Sequence, residues 1–207
     1  MTPSPRGLGA GWRALAFVGA AGAILHGAAF AASPGTHFEP TLQLQGTRLQ
    51  LNGAGTRFRS IFKVYDLALY TTRKVGTAEE LLALPGPKKL QFTALRELPG
   101  TDLGRLFVKG MSENATREQA TRHTLSTTRL IEIFSGKSKL MAGDSFAMEY
   151  VPGKGTQFVI QGQPQGEPVG DAEFFSMVLN IWFGSSPADR ALKDALLGRA
   201  ASAPAQQ

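Results

Sequence analysis

The chain has 207 residues, of which 43% are hydrophobic, 18% charged and 9% aromatic, enough for one sizeable globular domain and too apolar for a wholly disordered protein. Its 22 Lys and Arg against 16 Asp and Glu leave a net charge of +6, compatible with an acidic partner but too modest to specify one. Cysteine is absent, which excludes disulfides, thiolate catalysis and Cys-ligated metals.

Arg6 and Arg13 precede a weakly apolar run, Ala14 to Leu25, and Ala29-Phe30-Ala31 follows. This order reads as a secretory signal over residues 1–31 with an A-x-A cleavage site. Cleavage after Ala31 or Ala32 leaves about 176 residues and removes both arginines, taking the net charge from +6 to +4. The run is shorter than the roughly 20 residues a spanning helix needs, so no stable transmembrane anchor is expected. The expected destination is beyond the inner membrane, the periplasm in a Gram-negative cell.

Leu42-Gln43-Leu44 and Leu49-Gln50-Leu51 alternate apolar and polar residues around Gly46 and Thr47, which predicts a hairpin, and Asn52-Gly53 predicts a further turn. Phe62 to Val64 and Leu67 to Tyr70 predict a longer strand, and Lys88 to Leu95 another. Between them, Glu79 to Leu84 predicts a short helix ended by Pro85 and Gly86, with Leu81, Leu82 and Leu84 inward.

The period then changes. Leu103, Leu106, Phe107 and Met111 are spaced as one helical face, and Ala120, Thr124, Thr127, Ile131 and Phe134 as the face of a second helix. Thr116 and Gln119 predict a capping box, and Gly136 a stop. His123 is expected at the surface; with His37 as its only companion beyond the signal, no metal site is expected.

Phe146 to Tyr150 and Thr156 to Ile160 read as a hairpin joined by Pro152-Gly153-Lys154-Gly155. Lys154 between glycines lacks the spacing and the strand-to-helix context of a phosphate loop, so a solvated turn is expected and no cofactor is implied. Asp171 is placed to cap a helix carrying Phe174, Phe175, Val178, Leu179 and Trp182, closed by Gly184. Ser186-Pro187 predicts the start of a last helix with Leu192, Ala195 and Leu196 inward, and residues 199–207 read as a flexible tail. No concentrated basic groove with interleaved aromatics stands out, and nucleic acid is not expected as a partner.

Four ordered segments, Leu51-Asn-Gly-Ala-Gly-Thr-Arg57, Phe62-Lys-Val-Tyr-Asp-Leu-Ala-Leu-Tyr70, Val151-Pro-Gly-Lys-Gly-Thr156 and Ile181-Trp-Phe-Gly-Ser-Ser-Pro187, resemble the bacterial chalcone-isomerase-like family. The resemblance covers roughly residues 36–198, the expected domain. It implies an α+β fold, an open-faced beta sandwich in which a large, mainly antiparallel sheet packs against a helical layer.

Enzymes of that family close a flavonoid ring by attack of a phenolate on an enone, and the resemblance implies a sheet Arg with Thr, Tyr and Asn partners. Here Tyr65 falls at the Thr position, and Asn52 or Gly53 near the Arg, with Arg48 and Arg57 close in sequence. Phe107 stands where the enzyme has Tyr, and Asn114 retains the Asn. Ser176 lies near the family's C-terminal polar position. The candidate ligand-binding set is therefore Arg57, Tyr65, Tyr70, Phe107, Asn114 and Ser176, with Phe62 and Trp182 as further apolar walls. The leading expectation is a noncatalytic ligand-binding or scaffold protein; related noncatalytic members include fatty-acid binders, which makes a fatty acid or other small apolar anion a candidate ligand, its carboxylate on Arg57 with Tyr65. An aromatic small molecule is a second candidate ligand, and ring-closing isomerisation and an envelope interaction protein are the alternatives.

Overall fold

The computed structural model describes residues 35–199, so the expected export segment and the tail beyond Arg199 lie outside the described residues. Nine strands and six helices are described: β1 Thr41–Leu44, β2 Thr47–Arg59, β3 Phe62–Thr71, α1 Ala78–Ala83, β4 Lys88–Ala94, β5 Leu98–Pro99, α2 Gly100–Ser112, α3 Arg117–Arg122, α4 Thr124–Ser135, β6 Lys139–Leu140, β7 Ser145–Val151, β8 Gly155–Ile160, β9 Gln163–Pro164, α5 Ala172–Phe183 and α6 Arg190–Leu196. Seven strands form one antiparallel sheet in the order β1-β2-β3-β4-β7-β8-β9, and β5 pairs with β6 apart from it. This is the expected α+β open-faced sandwich.

Period-two alternation divides the sheet into two faces. Tyr65, Leu67 and Leu69 of β3 and Leu90 and Phe92 of β4 join the main core with the helices. Ala68 and Tyr70 point the other way and form a smaller cluster with Leu44 and Leu49. Residues 35–40 cross that second face: Thr36 N–H donates to Asp66 Oδ2 at 2.8 Å, Tyr70 Oη donates to the Glu39 carbonyl at 2.9 Å, and Phe38 packs on the cluster. Helix α5 is buried on nearly every side, from Phe174 through Phe183, as expected of a helix whose apolar residues are not confined to one stripe.

Local chemistry explains several element ends. The β1–β2 turn places Gln45 and Gly46 at φ 48° and 78°, the paired positive values of a tight hairpin. Thr116 and Gln119 form the complete capping box at the start of α3, and Asp171 Oδ1 accepts from Phe174 N–H at 3.0 Å to cap α5.

Five expectations are corrected. Asn52-Gly53 is not a turn: β2 runs through it with a register shift between Leu51 and Gly53, and Asn52 is buried. Its Nδ2 donates to the carbonyls of Val75 at 3.0 Å and Leu196 at 2.8 Å, while Oδ1 accepts from Val75 N–H at 2.8 Å. Gly53 is required by packing, because a Cβ there would lie 2.2 Å from the Ala195 carbonyl oxygen of α6.

Ser186-Pro187 does not start α6; Asp189 does, accepting from Leu192 N–H at 3.1 Å. Leu82 and Leu106 face solvent, because Leu81 with Leu84, and Leu103 with Phe107 and Met111, already complete the inward stripes. The inward face of α4 is Leu130, Ile133 and Phe134, with Ile131 exposed. His123 is 5% exposed rather than a surface group. It occupies the break between α3 and α4, where its Nε2 lies 2.9 Å from Glu173 Oε2.

Candidate functional site

The site begins with register. Arg57 and Tyr65 are direct cross-strand partners on β2 and β3, so their side chains leave the sheet on the same face. That face carries a cavity of about 400 Å³, within the roughly 300–1,000 Å³ typical of small-molecule sites. Arg57 and Arg59 of β2, Val64 and Tyr65 of β3, one side of α2 from Asp102 to Gly110, Ile181 of α5 and the Pro187-Ala188 loop line it. Leu103, Phe107 and Ile181 give it an apolar interior, while Arg59, Asp102, Lys109 and Glu113 supply charge.

Tyr65 is 6% exposed, and its hydroxyl oxygen accepts from Trp182 Nε1 at 2.9 Å. Burial pushes the phenol up to about 12; the Trp182 hydrogen bond and the neighbouring Arg57 guanidinium only partly offset that. The hydroxyl is therefore protonated at neutral pH, and among the described residues nothing accepts its proton. Trp182 in turn is fixed between Phe92 and Phe107, with ring centroids 5.3 and 5.8 Å away.

Asp189 organises the other polar edge. Its Oδ1 caps α6, and its Oδ2 accepts from Phe58 N–H at 3.2 Å and from Arg57 Nη1 at 3.3 Å. Arg57 Nη1 also donates to the Phe58 carbonyl. These bonds occupy one amino group of a five-donor fork, so the guanidinium keeps further donors for a ligand.

The structure brings Arg57, Tyr65 and Phe107 to this cavity and places the other three candidates elsewhere. Tyr70 lies five residues from Tyr65, an odd separation along a strand, and therefore sits on the opposite sheet face with its hydroxyl on Glu39. Asn114 is a structural staple: Nδ2 donates to the carbonyls of Gly110 at 2.9 Å and Ser186 at 3.0 Å, and Oδ1 accepts from Ser186 N–H at 2.9 Å. Gly184 leaves room for that amide, since a Cβ there would lie 2.2 Å from Asn114 Oδ1. Ser176 turns back to the Ala172 carbonyl of its own helix at 2.8 Å.

Of the other walls and neighbours named from sequence, Trp182 stands behind Tyr65, Phe62 is exposed at the β2–β3 hairpin, and Arg48 is exposed near the opposite end of β2. Sequence reasoning missed Asp189 and Arg59. Asp189 carried a usable signal, an acid three residues before Leu192 at a helix start, but Ser186-Pro187 offered a competing cap. Among the described residues, no group of three or more His, Cys, Asp or Glu is placed to hold a metal ion, and no helix is long and apolar enough to cross a membrane.

No curated protein matches the sequence. Among solved structures, a fatty-acid binding protein of Arabidopsis thaliana is similar in fold at 13% identity, with a TM-score of 0.60, covering 82% of this chain and 97% of its own. A family model described as chalcone isomerase-like matches residues 31–198, which include the whole sheet, the helical layer and the cavity between them. The chain therefore belongs to the chalcone isomerase-like family.

Proposed function

We propose that this is an exported, noncatalytic protein that binds a fatty acid or another small apolar anion in the Arg57–Tyr65 cavity. The observation that carries the reading is the buried Tyr65 phenol, a hydrogen-bond donor without an acceptor among the described residues, beside a guanidinium with donors to spare. A carboxylate satisfies both, and charge-assisted hydrogen bonds of this kind contribute about 1.5–3 kcal/mol. The acyl chain then runs over Leu103, Phe107 and Ile181. A volume near the lower end of the usual range favours short and medium chains. Fatty-acid binding by the Arabidopsis protein of the same fold supports the reading as an analogy.

Ring-closing isomerisation is less well supplied. It requires donors where charge develops on the enone oxygen. Phe107 has no hydroxyl, and the Asn114 amide is engaged in its staple. Only Arg57 and Tyr65 remain of the donor set implied by the family resemblance.

Mass spectrometry of protein recovered from its own compartment, followed by titration of delipidated protein with octanoate, laurate and palmitate, tests the reading. Bound acyl chains and a 10- to 100-fold loss of affinity in Arg57→Ala are expected. Failure to recover or bind any acyl chain overturns it. Acceleration of flavanone formation, lost in Arg57→Ala, would replace it with the isomerase reading. Recovery of one protein partner without a small molecule would replace it with an envelope interaction role. Cell fractionation tests export, and an unprocessed chain retained in the cytoplasm refutes that part.

A further inference from the structure

The β2–β3 hairpin projects from the cavity mouth. Arg59 and Val64 line the cavity, and the four residues between them, Ser60, Ile61, Phe62 and Lys63, are all exposed. Ile61 is 81% and Phe62 58% exposed, large apolar side chains with no packing role in the core. Leu106, 52% exposed, lines the cavity and adds apolar surface at its rim.

Cations surround this apolar tip. Arg59 and Lys63 flank Ile61 and Phe62, and the Arg96 guanidinium lies 5.7 Å from the centre of the Phe62 ring. None of the three forms an ion pair among the described residues, whereas other exposed bases do, including Arg105 with Asp102, Lys109 with Glu113 and Lys139 with Glu97. The run from Arg57 to Lys63 contains three bases and no acid.

Apolar side chains that would enter an acyl boundary, ringed by bases that would meet phosphate headgroups, match the chemistry of an anionic bilayer surface. A hairpin tip is unlike the basic groove that tracks a single nucleic-acid strand. We propose that the β2–β3 hairpin docks the protein on an anionic lipid surface, with the mouth of the Arg57–Tyr65 cavity facing the bilayer. Docking by the hairpin holds whatever the cavity binds; direct exchange of an acyl chain with the bilayer rests on the reading of the site given above.

The absence of cysteine permits single-site labelling of the full chain. Ile61→Cys carries an environment-sensitive fluorophore at the tip, and Arg48→Cys carries it near the other end of β2 as a control. Adding vesicles of phosphatidylglycerol and phosphatidylcholine is expected to blue-shift the Ile61 probe and leave the Arg48 probe unchanged. Vesicles of phosphatidylcholine alone, or high salt, are expected to abolish the shift. Lys63→Glu, in the labelled background, is expected to weaken the association roughly thirtyfold, since it removes one favourable charge and adds an unfavourable one.

A shift at both probes or at neither overturns the proposal. So does a shift without vesicles that grows with protein concentration, which marks contact between two copies, or one produced by a single-stranded oligonucleotide. Laurate titration of unlabelled Lys63→Glu without vesicles reads the cavity separately: unchanged affinity there, with lost vesicle binding, separates docking from ligand capture.

Discussion

Replacing Asp189 by Asn offers a direct test of the anion site, because it separates the charge of that residue from most of its structural work. Asn caps helices as well as Asp, so Oδ1 can continue to accept from Leu192 N–H. The substitution removes the acceptor for Phe58 N–H and the charge partner of Arg57. Those losses cost roughly 1–2 kcal/mol and lower Tm by several degrees.

Ligand affinity should move in the opposite direction. Asp189 Oδ2 lies 3.3 Å from Arg57 Nη1, and a carboxylate bound to another side of the guanidinium would be about 6 Å from it. Two like charges at that distance repel by about 3 kcal/mol at an effective dielectric of about 20, and by about half that where solvent reaches them. Asp189→Asn should therefore bind laurate about 10- to 100-fold more tightly, measured by calorimetry at neutral pH. Unchanged or weaker binding in a folded variant, with its thermal transition still cooperative, would refute the placement of an anion on Arg57.

Tyr65→Phe should weaken laurate binding and destabilise the fold by roughly 1–3 kcal/mol, because buried Trp182 Nε1 loses its acceptor; calorimetry and denaturant unfolding read the two effects. Asn52→Ala should cost roughly 3 kcal/mol or more, as three buried backbone groups lose their partner, and a loss of unfolding free energy below about 1 kcal/mol in denaturant titration would contradict its role as a tie between β2, the Val75 loop and α6. Hydrogen bonds from His123 and then Arg122 hold the Glu173 carboxyl at about 2, below its ordinary 4.5. A carboxyl depressed in the folded state stabilises above its unfolded value and loses that contribution as pH falls through the folded one. The Tm advantage of wild type over Glu173→Gln should thus persist at neutral pH and close between about pH 4.5 and pH 2; a gap independent of pH would exclude this linkage.

The individual elements were legible because their signals were local. Alternation in Leu42–Leu44 and Leu49–Leu51, the capping box at Thr116 and Gln119, and the turn at Pro152–Gly155 each required only neighbouring residues. The same local habits misread Asn52-Gly53. That dipeptide favours a turn in isolation, yet here it serves a close crossing of β2 by α6, 144 residues away in the hydrogen bond from Asn52 to Leu196. His123 was misplaced for a similar reason, since its partner Glu173 lies fifty residues along the chain.

The candidate site was legible in part. Period two alone separates Tyr65 from Tyr70, and applied strictly it would have removed Tyr70. Asn114 and Ser176 are different cases: both are polar residues at or on helices, and only their partners, Ser186 and Ala172, reveal that their hydrogen bonds are already used.

By itself the sequence determined the order of the main elements, because these follow from periodicity and capping over short spans, while the α+β sandwich and a polar, cationic pocket edge were implied by the resemblance its ordered motifs carry. Tertiary structure decided which of them meet. Register across β2 and β3 set Arg57 beside Tyr65, the approach of α6 delivered Asp189 to that pair, and burial beneath Trp182 left one phenolic proton without an acceptor among the described residues. Those are long-range consequences of sheet pairing and helix packing, and no single stretch of the chain encodes them.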